Sequence, residues 1–336
     1  MRRNLLKYRA EVVNGVFGES DALAETLAET LGEGGRVLLA ADTNVVSHSS
    51  GLGAKIGRYV TAHGIMLTGR PVVVQGGEKA KHEDLANVFS IVDAGVRARL
   101  GAGDCILALG GGTTFDLAGW AAAQLGGVRV VRIPTTPAAM TGAAFAENAA
   151  IDRCGRKDAV KFESMPAAVL VDVGFLGTVM EGVWRAGAGE IACLAAQDDR
   201  LRAEFVDFAP RYARRDYEAF AGMVARVIEV RRSRPDDRIA EPIAARLEEM
   251  SSFRLPHGYA IPLALLIEMG ARTVRGEMSA EAAKEIRAAL ETCGSLEGLY
   301  HSHHLLLRRE ELFAQDMANR EAYIAAVDAL LGAKRD

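Results

Sequence analysis

Three consecutive glycines, Gly110-Gly111-Gly112, followed by Thr113, Thr114 and Asp116, are the residues of this chain best suited to chemistry. Glycines let backbone N–H groups approach a pyrophosphate closely, and a helix starting there adds the positive end of its dipole. The same run also serves to pack a helix tightly on a strand, and it is not the GxGxxG fingerprint of a standard dinucleotide turn. Two neighbours favour phosphate. Asp42 closes an apolar run, where a carboxylate can accept hydrogen bonds from a ribose hydroxyl, and Thr135-Thr136 closes another. The cluster His301, His303 and His304 invites a metal ion, but the leucines at 305–307 make it read as the partly exposed start of a helix.

Such residues need strand ends to hold them. Short apolar runs expected as strands lie at 36–41, 71–74, 104–109, 128–133 and 168–171, with helices between them, notably 52–62 and 82–100. This alternation is how a parallel sheet with crossover helices reads, and ligands bind at the C-terminal ends of such strands. Beyond residue 174 the strand signal disappears and apolar residues recur at helical spacing through 217–230, 239–250 and 261–273. The expectation is an α/β chain: a Rossmann-like parallel-sheet domain over 1–174 and an all-helical domain over 175–336.

Composition narrows the function. Hydrophobic residues make up 49% and charged residues 25%, as in a globular protein, and the net charge of -4 gives nucleic acid no foothold. Basic runs at 211–215 and 231–234 are flanked by acids and read as solvated helix faces. No apolar run is long enough for a membrane span, and no signal-peptide core follows the charged first residues. The four cysteines, Cys105, Cys154, Cys193 and Cys293, form no CxxC pair, which favours free thiols in a reducing cytoplasm.

The stretch 107–172 resembles 3-dehydroquinate synthase and the wider sugar-phosphate cyclase family, whose fold is related to that of iron-containing alcohol dehydrogenases. The matching pieces are the glycine run with Asp116-Leu-Ala-Gly, then Ile133-Pro-Thr-Thr136, then Ala168-Val-Leu-Val-Asp172. Upstream, Gly76-Gly-Glu-Lys-Ala-Lys81 looks like the family's GEKxK turn. The resemblance implies an NAD cofactor contacted by Asp42, Gly77, Glu78, Lys81, Gly111, Gly112, Thr113, Asp116, Thr135, Thr136, Lys157 and Thr178. It implies a homodimer, and a helical domain that binds a catalytic divalent metal, usually zinc, with iron or manganese open. Glu190 in Gly189-Glu-Ile and His257 in His257-Gly-Tyr match two ligand motifs, and the third ligand position falls on Glu241. Lys157, Glu190 and His257 are thereby the catalytic candidates. Glu241 has a second reading as a helix cap, because it precedes Pro242.

Departures from the family pattern bear on the reaction. Positions where the family grips a sugar phosphate carry Gly126, Asn148, Asp158 and Ala245, and two catalytic positions carry Gly142 and Cys193. Arg320 keeps one charge near the C-terminus, and Arg153, Arg156 and Lys161 are other cations within reach of the motif in sequence. Charge-assisted hydrogen bonds to phosphate contribute on the order of 1.5 to 3 kcal/mol each, so losing several removes useful affinity. The expected activity is NAD-dependent, metal-assisted oxidation of an unphosphorylated alcohol in a biosynthetic pathway, a β-hydroxy acid or the C-terminal residue of a peptide included. The alternatives are a true sugar-phosphate cyclase and a catalytically silent scaffold.

Overall fold

A computed structural model describes residues 6–82, 85–233, 238–297, 299, 302–316 and 318–332 of the chain. The chain divides into two compact units, Met1–Met180 with Val224–Ser233, and Glu181–Met223 with Arg234–Asp336. The first unit thus runs past residue 174 and takes up part of a later helix. Val224, Val227 and Ile228 of that stretch are buried, and Arg231 donates from Nε and Nη2 to Thr141 O, at 3.1 and 2.6 Å.

The first unit contains strands β1 (Arg9–Val12), β2 (Val37–Asp42), β3 (Val72–Val74), β4 (Cys105–Gly110), β5 (Arg129–Pro134), β6 (Asn148–Arg153), β7 (Arg156–Glu163) and β8 (Ala168–Val171). Six of them form one parallel sheet in the order β1-β8-β5-β4-β2-β3. Every residue of β2, β4 and β8 is buried, because helices cover both faces, and this is why these strands read as unbroken apolar runs. Helices α1 (Ala22–Thr30), α2 (Thr43–His48) and α3 (Leu52–Ala62) pack through Leu23, Leu27, Val45, Ile56 and Tyr59 on one face. Elsewhere in the unit lie α4 (Lys79–His82), α5 (Leu85–Ala98), α6 (Gly112–Gln124) and α7 (Pro137–Thr141).

Register fixes what meets at the carboxyl ends. Ala41 lies beside Leu109, Leu109 beside Ile133 and Gly110 beside Pro134, so Asp42, Gly110 and Thr135 end neighbouring strands on one edge. Gly126, which stands where the family has an arginine, precedes β5 at the opposite end of the strands. Within this unit its change to glycine therefore removes nothing from that edge.

Two features escape the pattern of apolar runs. Strand β1 is only Arg9–Val12, with two charged residues among its four. The hairpin β6–β7 is antiparallel and separate from the main sheet, and β7 is largely exposed and charged. Its turn places both Cys154 (φ 52°) and Gly155 (φ 71°) in the left-handed region, as a two-residue hairpin loop demands.

The second unit is helical: α8 (Glu181–Ala186), α9 (Gly189–Ala195), α10 (Asp199–Ala213), most of the first half of α11 (Tyr217–Arg231), α12 (Glu241–Met250), α13 (His257–Val274), α14 (Ala280–Thr292) and a final helix Arg320–Gly332. Helix α13 is apolar nearly all round and packs against α9, α12, α14 and the final helix. The approach of α9 to α13 depends on glycine, since a Cβ at Gly189 would lie 2.9 Å from Pro262 Cγ. No described helix is long and apolar enough to cross a membrane.

Candidate active site

In the glycine run each residue has its own task. A Cβ at Gly110 would come within 2.3 Å of Thr114 Oγ1 and 3.0 Å of Asp42 Cβ, so this glycine lets α6 seat against the strand ends. A Cβ at Gly111 would meet nothing closer than 3.8 Å, and Gly111 is the N-cap of α6 with Gly112 its first residue. The space over Gly111 is therefore open at a helix N-terminus, where backbone donors suit an anion. Thr114 and Thr135 are buried beside it, and neither hydroxyl has a hydrogen-bond partner among the described residues. Thr113 is half-buried in the same first turn.

Asp42 is 8% exposed and caps α2, its Oδ1 accepting from Asn44 N at 2.7 Å. A Cβ at Gly76 would lie 2.2 Å from its Oδ2, and Gly77 turns the chain with φ 87°, which explains the paired glycines there. Burial raises the Asp42 pKa. Thr136 caps α7 by accepting from Ala139 N at 3.3 Å. Thr178 is exposed, in the turn Val173–Thr178, and donates to Phe175 O at 3.2 Å.

Four other residues expected at the cofactor pair with one another. Lys81 Nζ, on a side chain 3% exposed, lies 2.9 Å from Glu78 Oε1, 2.8 Å from Asp116 Oδ2 and 3.4 Å from Asp158 Oδ1. Lys157 Nζ also meets Glu78 Oε1. Asp116 Oδ1 accepts from Ala150 N, and Asp152 Oδ1 accepts from Asp158 N at 2.7 Å. The network ties α4, the start of α6 and the β6–β7 hairpin together. Burial alone would lower the Lys81 pKa, but Asp116, Glu78 and Asp158 outweigh it and hold the ammonium charged. Burial pushes Asp152 up to about 6. Asp158 is driven down because Lys81, Lys157 and Lys161 outweigh its desolvation. Of the cations nearby, Lys161 is thus engaged with Asp158, at 3.3 Å.

Sequence reasoning missed Arg132 as a positioning residue. It is 1% exposed and donates to Ala144 O, Ala146 O and Ser164 O, pinning the segment that follows Thr136. An arginine in the middle of an apolar strand was the available signal.

In the second unit Glu190 on α9, Glu241 at the start of α12 and His257 at the start of α13 offer ligand atoms all within 4.8 Å of one another. His257 Nε2 lies 3.9 Å from Glu190 Oε1 and 3.8 Å from Glu241 Oε1. Two bonds of about 2.1 Å at a tetrahedral angle set ligand atoms roughly 3.4 Å apart, so the set fits a divalent ion after small side-chain movement. The N-cap of α12 is Ala240, and Glu241 occupies the first turn beyond it. His257 Nδ1 lies 2.8 Å from Glu248 Oε1, whose carboxylate is 1% exposed. That contact fixes the ring with Nε2 toward the two carboxylates, as an outer carboxylate does for a metal-bound imidazole. Glu248 went unnoticed in the sequence, although it stands two helical turns after Glu241.

Other expected positions lie apart. His303 and His304 are exposed and join no three-ligand group among the described residues, and His301 is outside those residues. Arg320 pairs with Glu310 on the surface. Cys193 is buried within α9.

Residues 71–186 match the family model for the N-terminal part of 3-dehydroquinate synthase. The chain is 35% identical over 175 residues to the 3-dehydroquinate synthase of Gloeobacter violaceus, covering 52% of this chain and 46% of that protein. It is 34% identical over 207 residues to that of Cereibacter sphaeroides, covering 57% and 55%. These matches span about half the length of the curated relatives. In fold, the chain is similar to 2-epi-5-epi-valiolone synthase from Streptomyces hygroscopicus subsp. jinggangensis 5008, solved with NAD+ and Zn2+ bound, at TM-score 0.76, 19% identity and 98% coverage of both chains. An iron-containing alcohol dehydrogenase from Thermococcus thioreducens aligns at TM-score 0.67 and 15% identity, over 96% of this chain and 99% of its own. The chain is therefore similar to 3-dehydroquinate synthase over about half its length and has the fold seen in the valiolone synthase and the iron-containing alcohol dehydrogenase.

Proposed function

We propose that this protein is an NAD-dependent, metal-assisted oxidoreductase acting on an unphosphorylated alcohol. The observation that carries the reading is the convergence of Glu190, Glu241 and His257 on one point, with His257 oriented by Glu248. NAD fits the open space over Gly111, the N-terminus of α6 and the unpartnered hydroxyls of Thr114 and Thr135. Two structural relatives, the valiolone synthase and a 2-deoxy-scyllo-inosose synthase, were solved with NAD+ and with Zn2+ or Co2+.

When bound, NAD supplies a hydride acceptor, and a divalent ion, zinc first and iron or manganese next, supplies Lewis acidity that eases loss of the hydroxyl proton. The chain's own residues do the rest. Glu190, Glu241 and His257 would hold the ion, and Gly111 and Gly112 would present backbone donors to the pyrophosphate. Lys157, buried and paired with Glu78, would add a cation to the surroundings of the cofactor. Oxidation would take the carbinol hydrogen as a hydride onto NAD and release the hydroxyl proton to solvent. The products are a ketone, NADH and one proton. A substrate with its hydroxyl β to a carboxylate would give a β-keto acid that loses carbon dioxide.

Asn148, Asp158 and Ala245 stand where the family pattern has groups that grip phosphate, and Arg320 is engaged with Glu310. The likeness to valiolone synthase favours a second reading, a sugar-phosphate cyclase. Incubating the protein with NAD, zinc and a panel of hydroxy acids should yield reduced nicotinamide. Steady release of inorganic phosphate from heptulose phosphates would instead establish the cyclase. Both readings carry a homodimer in a reducing cytoplasm, which sedimentation and cell fractionation test.

A further inference from the structure

A cavity of about 830 Å3 opens within the first unit between the loop after β1, the α2–α3 corner and the turn Val173–Thr178. Its volume lies within the range of small-molecule sites. None of Gly110, Gly111, Gly112, Thr135 or Thr136 lines it, and of the residues expected at the cofactor only Thr178 does. Apart from Thr178, no residue named for the proposed oxidation lines it.

Its walls are held in place. Asp172 accepts from Gly174 N and from Val16 N, both at 2.9 Å, joining the turn to the β1 loop. Both of its oxygens are thereby engaged by backbone donors, which offsets its charge toward a ligand. The interior is apolar at Phe17, Leu52 and Tyr59, all under 9% exposed. The Tyr59 ring is covered by His63 at 4.1 Å between centroids and by the edge of Phe17. It offers little stacking face, so a compact apolar body suits the cavity better than a nucleobase.

One side of the cavity carries two cations. Lys55 and Arg58 lie one turn apart on α3, exposed and lining the cavity, with no hydrogen bond or ion pair among the described residues. Most of the described arginines do have such partners. Like charges at this spacing repel mildly, and an anion between them relieves the repulsion and gains charge-assisted hydrogen bonds. His48 spends Nδ1 on Asn44 O at 2.8 Å, which leaves Nε2 for a ligand. Exposed Glu19 also lines the cavity and disfavours a highly charged polyanion.

We propose that this cavity is a ligand site separate from the glycine turn, for a small organic anion with one phosphate or carboxylate head. Lys55 and Arg58 grip the head, and Phe17, Leu52 and Tyr59 take the apolar body. The site stands independently of the oxidation chemistry. Calorimetric titration of the full chain with phenyl phosphate and with phenylacetate tests it, the two arms separating phosphate from carboxylate. Saturable binding of at least one probe is expected. The double variant Lys55→Ala, Arg58→Ala should bind that probe roughly tenfold or more weakly, with unchanged thermal unfolding and unchanged NAD affinity. Absence of saturable binding by both probes, or equal binding by the variant, overturns the proposal. A parallel fall in NAD affinity overturns it too, because the cavity would then belong to the cofactor site.

Discussion

The charged cluster of the first unit and that of the second are built on opposite principles. Around Lys81, two lysines stand among the carboxylates of Glu78, Asp116 and Asp158, and the charges satisfy one another in a buried setting. In the second unit two carboxylates converge on one imidazole, each side chain 14% to 32% exposed. A compensated network holds elements together without needing a ligand. A set dominated by carboxylates would be completed by a cation from outside. Similarly charged clusters thus differ in whether they bring their own counter-charge, and this difference is what the variants below probe.

Four substitutions test this division. The largest effect belongs to Lys81→Met, which leaves three carboxylates short of a buried partner and should cost about 3 to 5 kcal/mol in urea unfolding. A loss under about 1 kcal/mol would mean that the network is solvated and that the contrast fails. Next, Glu241→Ala should weaken zinc binding about 100-fold in chelator competition, yet shift metal-free stability by less than about 0.5 kcal/mol. Unchanged zinc affinity would return Glu241 to a role at its helix terminus. Glu248→Gln should weaken zinc about tenfold, because a neutral acceptor makes the His257 ring a poorer donor to the ion. Equal zinc affinity in this variant would reduce Glu248 to packing.

The smallest effect concerns pH. Burial raises the Asp152 pKa from 3.8 to about 6, so the folded state favours its protonated form. The stability this confers is complete below about pH 4 and is lost as pH rises through about 6. Asp152→Asn removes that loss, and its melting temperature should gain on the wild type as pH rises from about 4 to about 6. Parallel pH profiles would show that Asp152 stays ionised in the fold.

Much of the sheet was legible in the chain because strands buried on both faces must be apolar throughout, as in Val37–Asp42 and Cys105–Gly110. The β6–β7 hairpin was not, since one charged, exposed strand carries no such run. The same contrast holds at the sites. The glycine run announces itself locally, whereas Arg132 and Glu248 acquire their roles only through residues far along the chain.

By itself, then, the sequence determined five of the six strands of the main sheet, the strand ends that carry Asp42, Gly110 and Thr135, and the resemblance that singled out Glu190, Glu241 and His257. Only the tertiary structure decided that Gly110 serves packing while Gly111 faces open space, and that Lys81, Asp116 and Lys157 share one buried network. It also decided that Glu248 holds His257. The physical reason is range. Burial and helix starts are written in nearest neighbours, while the partner of a charge is set by distances of a few ångströms between segments that no local pattern relates.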